Sequence, residues 1–404
     1  MFLSLSVYFL FALSLFWFGK QSYEKSLNKR VPQDLFFRDG YVWMILLIFA
    51  VLSGLRYRVG ADYLSYAWYF ERLVEWNKID RLYVYVEPMF EWITRFIGQF
   101  LGLSVEFYFG FLAFVQIFFL YYALRHRKFL YPYIGLVLIL GQYYLHWMNG
   151  VRQEIVGCVF VFALVLLTDN STIKNRLLYV GIILLCTFMH NSAYILLPFA
   201  FIPNLDYFKN RYVCIVVLIL CAYIGMTDWA QNNLQFLGQY VELFGSEKYI
   251  RNFDIAMNYD IALVTKYGPR RIILLVFNIL IVWFSNDLKR FFKNDRFFLM
   301  CYSLFFVYAC FNDLFAGASH IFLRPVGYLR PFSLICMAYL LFYLRNLKGV
   351  NAKMYFIVVL LVACSYLLVE NLAVKDIKGE FSLYKFRFLE DTERSYDVHN
   401  IDVF

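Results

Sequence analysis

Residues Tyr41–Phe70 read YVWMILLIFAVLSGLRYRVGADYLSYAWYF. The first half, through Leu55, carries no charge; the second opens on Arg56 and Arg58, followed by Gly60, Asp62, Tyr63 and Tyr66. An uncharged apolar run closed by arginine and tyrosine is the pattern of a membrane helix meeting a polar surface. Arginine at that position is costly unless it reaches the interface or lines a polar cavity. Two readings follow. In one the arginines snorkel, the tyrosines lie at headgroup level and Arg58 pairs with Asp62 one helical turn on. In the other the two guanidinium groups form an anion site, since each offers a planar, permanently charged fork suited to phosphate.

The whole chain repeats this pattern. Of its 404 residues 62% are hydrophobic and only 17% charged, against about 25% charged in soluble domains. Mean hydropathy is +0.59. Apolar runs fall at about 2–18, 41–56, 103–124, 131–147, 151–168, 177–189, 192–203, 211–226, 271–285, 297–312, 326–344 and 354–369. The fold expected is an all-α polytopic membrane protein with about twelve membrane segments in a single membrane domain, 1–404. Runs 177–189 and 192–203 are each short for a span of roughly 20 residues, so 177–203 is expected to form a short hairpin.

Charge sets the orientation. If the loops alternate sides through that hairpin, half of the 38 basic residues fall on short connectors with few acids: Lys20–Arg38, Arg125–Lys128, Lys174–Arg176, Lys209–Arg211, Lys289–Arg296 and Arg345–Lys353. Short basic connectors mark the cytoplasmic side. Both termini and the segments 57–102, 227–270 and 371–404 are then extracytoplasmic. The first 18 residues have no basic residue ahead of them and are read as a membrane helix, not a cleaved signal. The net charge of +9 is thus topogenic, and no basic run with interleaved aromatics speaks for nucleic acid.

The eight cysteines lie inside apolar runs without metal-ligand spacing. No Asp-x-Asp pair, Walker loop, GxGxxG or Ser–His–Asp signature is present. No metal and no cofactor is expected. What this topology gathers at the outer face is a set of polar residues far apart in sequence. Arg152, Gln153 and Glu154 open the run in NGVRQEIVGC; His190 and Asn191 sit at the hairpin tip in FMHNSAYILLP; His320, Arg324 and Arg330 surround the late run in SHIFLRPVGYLRPF. A cation at a helix N-terminus opposes the macrodipole, so Arg152 calls for an anionic partner, either Glu154 or a ligand. Pro325 and Pro331 break the helix beside the late arginines, as happens where backbone lines a cavity. Glu87 and Glu91, at i,i+4 spacing, read as a solvated helix face.

In the order of four patches, RYRVGADYLSY (56–66), NGVRQE (149–154), HNSAYILLP (190–198) and a late arginine-bearing helix start, the chain resembles the EpsG-like branch of the Wzy-type polysaccharide polymerases. That resemblance implies a bacterial inner-membrane enzyme of O-antigen, capsule or exopolysaccharide synthesis. Its substrate would be an undecaprenyl-diphosphate-linked oligosaccharide drawn from the membrane lipid, with a chain-length regulator protein as a further partner. Carried over by patch, Arg56, Arg58, Tyr63, Tyr66, Arg152, Gln153, Asn191 and one of Arg324 or Arg330 bind substrate, and Asp62 or His190 is the base. Convergent arginines suit a departing diphosphate, and a sugar hydroxyl acceptor needs a base within reach. The rival readings are an O-antigen ligase, a polyprenyl-phosphate-sugar glycosyltransferase and a transporter or flippase for the same lipid. Polar residues at one face favour an enzyme over the repeats and midplane sites of transporters.

Overall fold

The computed structural model describes residues 2–28, 36–60, 62–76, 86–203, 205–227, 269–293, 295–316, 323–347, 349–373 and 382–389. The chain folds into two compact units. The first comprises Met1–Ile202 and Leu344–Phe404, the second Pro203–Tyr343.

In the first unit the long helices pack in chain order. Helices α1 (Phe2–Ser26) and α2 (Gly40–Gly54) lead into a two-residue strand β1 (Arg56–Tyr57), α3 (Tyr63–Trp76) and α4 (Pro88–Arg95). The sequence then runs through α5 (Val105–Ala123), α6 (Tyr131–Leu140), α7 (Tyr143–Asn149), α8 (Val151–Asp169) and α9 (Ile173–Thr187). Helix α1 lies against α2 and α6, α2 against α5, and α5 against α8, which packs on α9. The apolar run 131–147 does not make one helix. Gln142 adopts the left-handed conformation, φ 64°, and separates α6 from α7; Gly150 separates α7 from α8. After α9 the residues Asn191–Ala200 form a 3-10 helix that folds back on α9, with the Tyr179 hydroxyl donating to the Leu196 carbonyl at 2.6 Å. Pro198 lies inside this segment and has no backbone N–H to give an α-helical ladder.

Among the described residues five helices are long and apolar enough to cross a membrane, or six if one bent pair counts as a span; four further apolar helices are shorter. The count falls below the twelve apolar runs because several runs are broken or fold as short elements. The bent pair lies in the second unit: α11 (Pro269–Trp283) turns by 47° into α12 (Ser285–Phe291). That unit also holds α10 (Arg211–Gly225), α13 (Arg296–Leu314), α14 (Arg324–Gly327) and most of α15 (Arg330–Asn346). Helix α16 (Val350–Ala373) returns to the first unit, and residues 385–386 form β2, antiparallel to β1.

The two ends of the first unit differ in chemistry. At one end Asp39 caps α2 and is fully buried. It accepts from Ser22 at 2.6 Å and from Lys128 at 2.8 Å, with Lys25 at 3.6 Å. Burial alone would raise its pKa; the Lys128 and Ser22 hydrogen bonds and the two lysine charges outweigh that and hold it below the usual value. Arg127 pairs with Asp169 at 3.3 Å between connectors that leave the same end. The loops that carry the four sequence patches, as far as they belong to this unit, gather at the other end.

Candidate active site

Three chain reversals meet at Glu87. It is the N-cap residue of α4, with Pro88 at the first helical position, the placement that a proline with no N–H tolerates best. Its carboxylate is buried. Arg152, in the first turn of α8, reaches Oε2 through Nη1 at 2.5 Å. His190, at the turn after α9, places Nδ1 3.3 Å from Oε1, and the Asn191 backbone N–H donates to the same oxygen at 3.2 Å. Burial would raise the Glu87 pKa, but the His190 hydrogen bond and the Arg152 charge prevail and hold it at about 2. Glu87 is therefore a carboxylate at neutral pH. A carboxylate only accepts, so His190 donates through Nδ1. In the neutral imidazole this leaves the lone pair on Nε2. The imidazole is 24% exposed and the Arg152 side chain 14%, against 6% for Glu87: the carboxylate sits beneath the two groups it holds.

The motif loop closes on this cluster through its backbone. Gly60 has φ 92°, and a Cβ there would lie 2.8 Å from the Met148 carbonyl oxygen, so only glycine fits both the left-handed turn and the close approach. Two residues on, the Asp62 N–H donates to the Asn149 side-chain oxygen at 3.0 Å. Tyr66, one turn into α3, is buried and hydrogen-bonded to Arg152, whose guanidinium also lies 5.2 Å from the Phe90 ring centre. Burial pushes the Tyr66 phenol up, so it stays protonated. Gln153 follows Arg152 and is half-buried. The structure thus brings Asp62, Tyr66, Arg152, His190 and Asn191 to one locus.

Arg56 and Tyr63 belong to a neighbouring arrangement. Arg56 is fully buried; it donates to the Ser53 and Val59 carbonyls and stacks 4.4 Å from the Phe109 ring centre and 5.5 Å from that of Tyr63. Those contacts fasten the turn that carries the motif. Arg58, at φ 53°, lies over the Tyr57 ring at 5.4 Å. The segment Ser382–Leu389 completes this region. Arg56 pairs with Phe386 and Tyr57 with Lys385; the Tyr384 hydroxyl donates to the Leu52 carbonyl at 2.5 Å, and the Tyr384 N–H to Ser4 Oγ at 2.7 Å. Arg387 bridges α3 and α5, with Nε 2.8 Å from Glu106, Nη2 3.5 Å from Glu71 and Nη1 3.4 Å from the Tyr63 hydroxyl.

The late arginines lie in the second unit. Arg324 is exposed in α14, and Arg330, half-buried, donates from Nε to the Tyr308 hydroxyl at 3.4 Å. His320 and the segment 228–268 lie outside the described residues. Sequence reasoning passed over Glu87, whose spacing from Glu91 suggested one solvated face. In the structure only Glu91 is on such a face, paired with Arg95 at 2.9 Å. The signal for Glu87 was Pro88, which marks the residue before it as a cap. Sequence reasoning also passed over Arg387. Here the alternation in Tyr384–Phe388, YKFRF, is the strand signal. Among the described residues no group of three His, Cys, Asp or Glu side chains is placed to hold a metal ion.

Fold and site together define a helical membrane protein that carries a partly buried ionic cluster where several helix ends meet. The chain belongs to the EpsG family, a family of Wzy-like polymerases: the family model matches residues 41–387. The matched region begins with the first residue of the opening stretch and ends on Arg387. No curated protein and no solved structure matches the chain.

Proposed function

We propose that this chain is a metal-independent membrane glycosyltransferase that joins undecaprenyl-diphosphate-linked oligosaccharide units at the periplasmic face of the bacterial inner membrane. The observation that supports this reading best is the Glu87–His190 contact beside Arg152. A carboxylate that holds histidine by Nδ1 makes Nε2 the nitrogen of the neutral imidazole that can accept a proton. Between the two candidate bases this favours His190 over Asp62.

In the reaction so assigned, a hydroxyl of the acceptor sugar attacks the anomeric carbon of the donor. The new C–O bond forms as the bond to the lipid diphosphate breaks, and the hydroxyl proton passes to His190 Nε2. Charge develops on the departing diphosphate. Arg152, anchored by Glu87 and beside Tyr66, brings a permanent positive charge to that diphosphate. Tyr66, protonated and beside Arg152, adds a hydroxyl donor. Asp62 closes the motif loop on Asn149 through its backbone.

The test is incubation of the purified chain with lipid-linked repeat units collected from cells that lack it, followed by gel analysis. A ladder of lengths that persists in excess EDTA is expected. A single transfer onto a different acceptor would identify a ligase instead. A ladder that vanishes with EDTA and returns with magnesium would remove metal independence.

A further inference from the structure

Helix α4 leaves the Glu87 cluster with three distinct sides. One side is docked. Phe90, Thr94 and Ile97 are buried, the Thr94 hydroxyl reaches the Tyr108 hydroxyl of α5 at 3.2 Å, and Gly98 abuts α3 so closely that a Cβ there would overlap Val74. The second side is polar, with Glu91 paired to Arg95 at 2.9 Å and Arg95 reaching Gln99 at 3.4 Å. The third carries Trp92, Phe96 and Phe100, which are 64%, 38% and 77% exposed. Trp92 stacks on Phe96 and Phe96 on Phe100, with ring centres 5.4 and 5.3 Å apart and planes inclined by 12° and 16°. In an α-helix a row at i,i+4 drifts by about 40° per step, since about 3.6 residues make a turn. Here Phe96–Phe100 form a π-helical turn, closed by the Leu101 N–H on the Phe96 carbonyl at 3.0 Å. The wider turn offsets the drift and keeps the third ring in line.

Three large uncovered rings beside a polar side are the pattern of a helix that lies in a membrane interface, and Trp is the residue suited to headgroup level. Two observations name the occupant as lipid. The exposed row leads into the exposed side of a span: Leu101 is exposed, and α5, which starts at Val105 and is apolar enough to cross a membrane, exposes Phe107 and Phe111. The four residues from Leu101 to Val105 reach at most about 14 Å, so the ladder cannot stand far from the bilayer that α5 enters. Each ring also spends a face on its neighbour, which leaves mainly edges outward. A sugar ring needs an open aromatic face to stack on, whereas hydrocarbon chains pack against edges without regard to direction.

We propose that α4 and its π-helical turn lie in the bilayer interface, with Trp92, Phe96 and Phe100 packed among the upper acyl chains of membrane phospholipid. The helix is then the membrane anchor of the Glu87 cluster. From Glu87 to Trp92 a helix rises only about 7.5 Å, so the carboxylate, Arg152 and His190 are held near headgroup level. The Met89 N–H donates to the Phe188 carbonyl at 3.0 Å, which ties the anchored helix to the turn that carries His190. None of this depends on the reaction the cluster performs.

Bromine on a lipid acyl chain quenches tryptophan on contact and so reports depth. Full-length protein is reconstituted into phosphatidylcholine–phosphatidylglycerol vesicles whose chains carry bromine either near the headgroup or near the methyl end. The difference in emission between wild type and Trp92→Phe isolates Trp92 from the chain's other tryptophans. Most of that difference signal is expected to be quenched by bromine near the headgroup, less of it by bromine near the methyl end, and little by aqueous iodide. Quenching by iodide and not by bromine would open the ladder to water, where a glycan could cover it, and would overturn the anchor. Quenching by neither would place a second copy of the chain on the ladder and overturn it as well. Wild-type protein supplies a second measurement should Trp92→Phe fail to accumulate. A carbene generated from a diazirine high on the lipid chain should mark Trp92, Phe96 or Phe100, with the position read by mass spectrometry. Marks on Phe107 and Phe111 with none on the ladder would count against the anchor.

Discussion

At the residue scale the decisive contact is the one that orients Arg152. An arginine fork shared between Glu87 and Tyr66 keeps its geometry only as arginine, because lysine is a single point charge. Arg152→Lys is expected to lower polymerisation roughly 100- to 1000-fold, the usual loss for one oxyanion-type donor, with membrane protein at its normal level. Arg95→Ala, which removes the half-exposed pair with Glu91 and a contact with Gln99 away from the Glu87 cluster, should leave polymer length near normal. Polymer length set against immunoblotted protein checks both. Glu87 adds a pH dependence whose sign is fixed. Its folded pKa, about 2, lies below the ordinary carboxyl value, so the stability it supplies is complete above pH ~4.5 and is lost as pH falls toward ~2. Thermal unfolding in detergent should show wild type more stable than Glu87→Gln near neutral pH, with the gap narrowing through that acid window. A constant gap would deny the ionised carboxylate its role. Arg152, Gln153 and His190 were legible in the sequence because polar residues in apolar runs stand out. Glu87 was not, because it lies in a polar loop where every acid looks alike, and its burial is decided by α8 and α9.

At the element scale the motif loop depends on a strand from more than 300 residues away. Arg387 supplies two carboxylate contacts and a tyrosine contact that tie α3 to α5. Arg387→Ala should destabilise the first unit by about 1–3 kcal/mol, the range for lost hydrogen bonds to charged groups, and should speed proteolysis within 56–76. Thermal unfolding and limited proteolysis measure it, and an unchanged cleavage pattern would show that α3 is held without the strand. Hydropathy located the cores of most helices, since a run such as Val105–Ala123 must be buried or lipid-facing whatever its partners. It did not locate the break at Gln142 or the 3-10 form of Asn191–Ala200. Both turn on local backbone choices that an apolar average does not register.

At the scale of the whole molecule the orientation remains the claim with the widest reach. In the first unit the basic connectors and the patch-bearing loops occupy opposite ends, the arrangement that the positive-inside rule needs. With the native cysteines removed, a cysteine at Ser104 should react with an impermeant probe on intact cells, and one at Lys174 should react only after permeabilisation; the reverse result would invert the topology. The bond between Tyr384 and Ser4 Oγ also has a bearing on how the protein is made. A ribosome that adds about 5–20 residues per second has Ser4 in the membrane long before Tyr384 exists. For most of its synthesis the nascent chain therefore holds α1, α2 and the motif turn without the strand that finishes them. The last stretch translated completes the first stretch inserted, and a chain cut short before Tyr384 leaves the end that holds Glu87 unfinished.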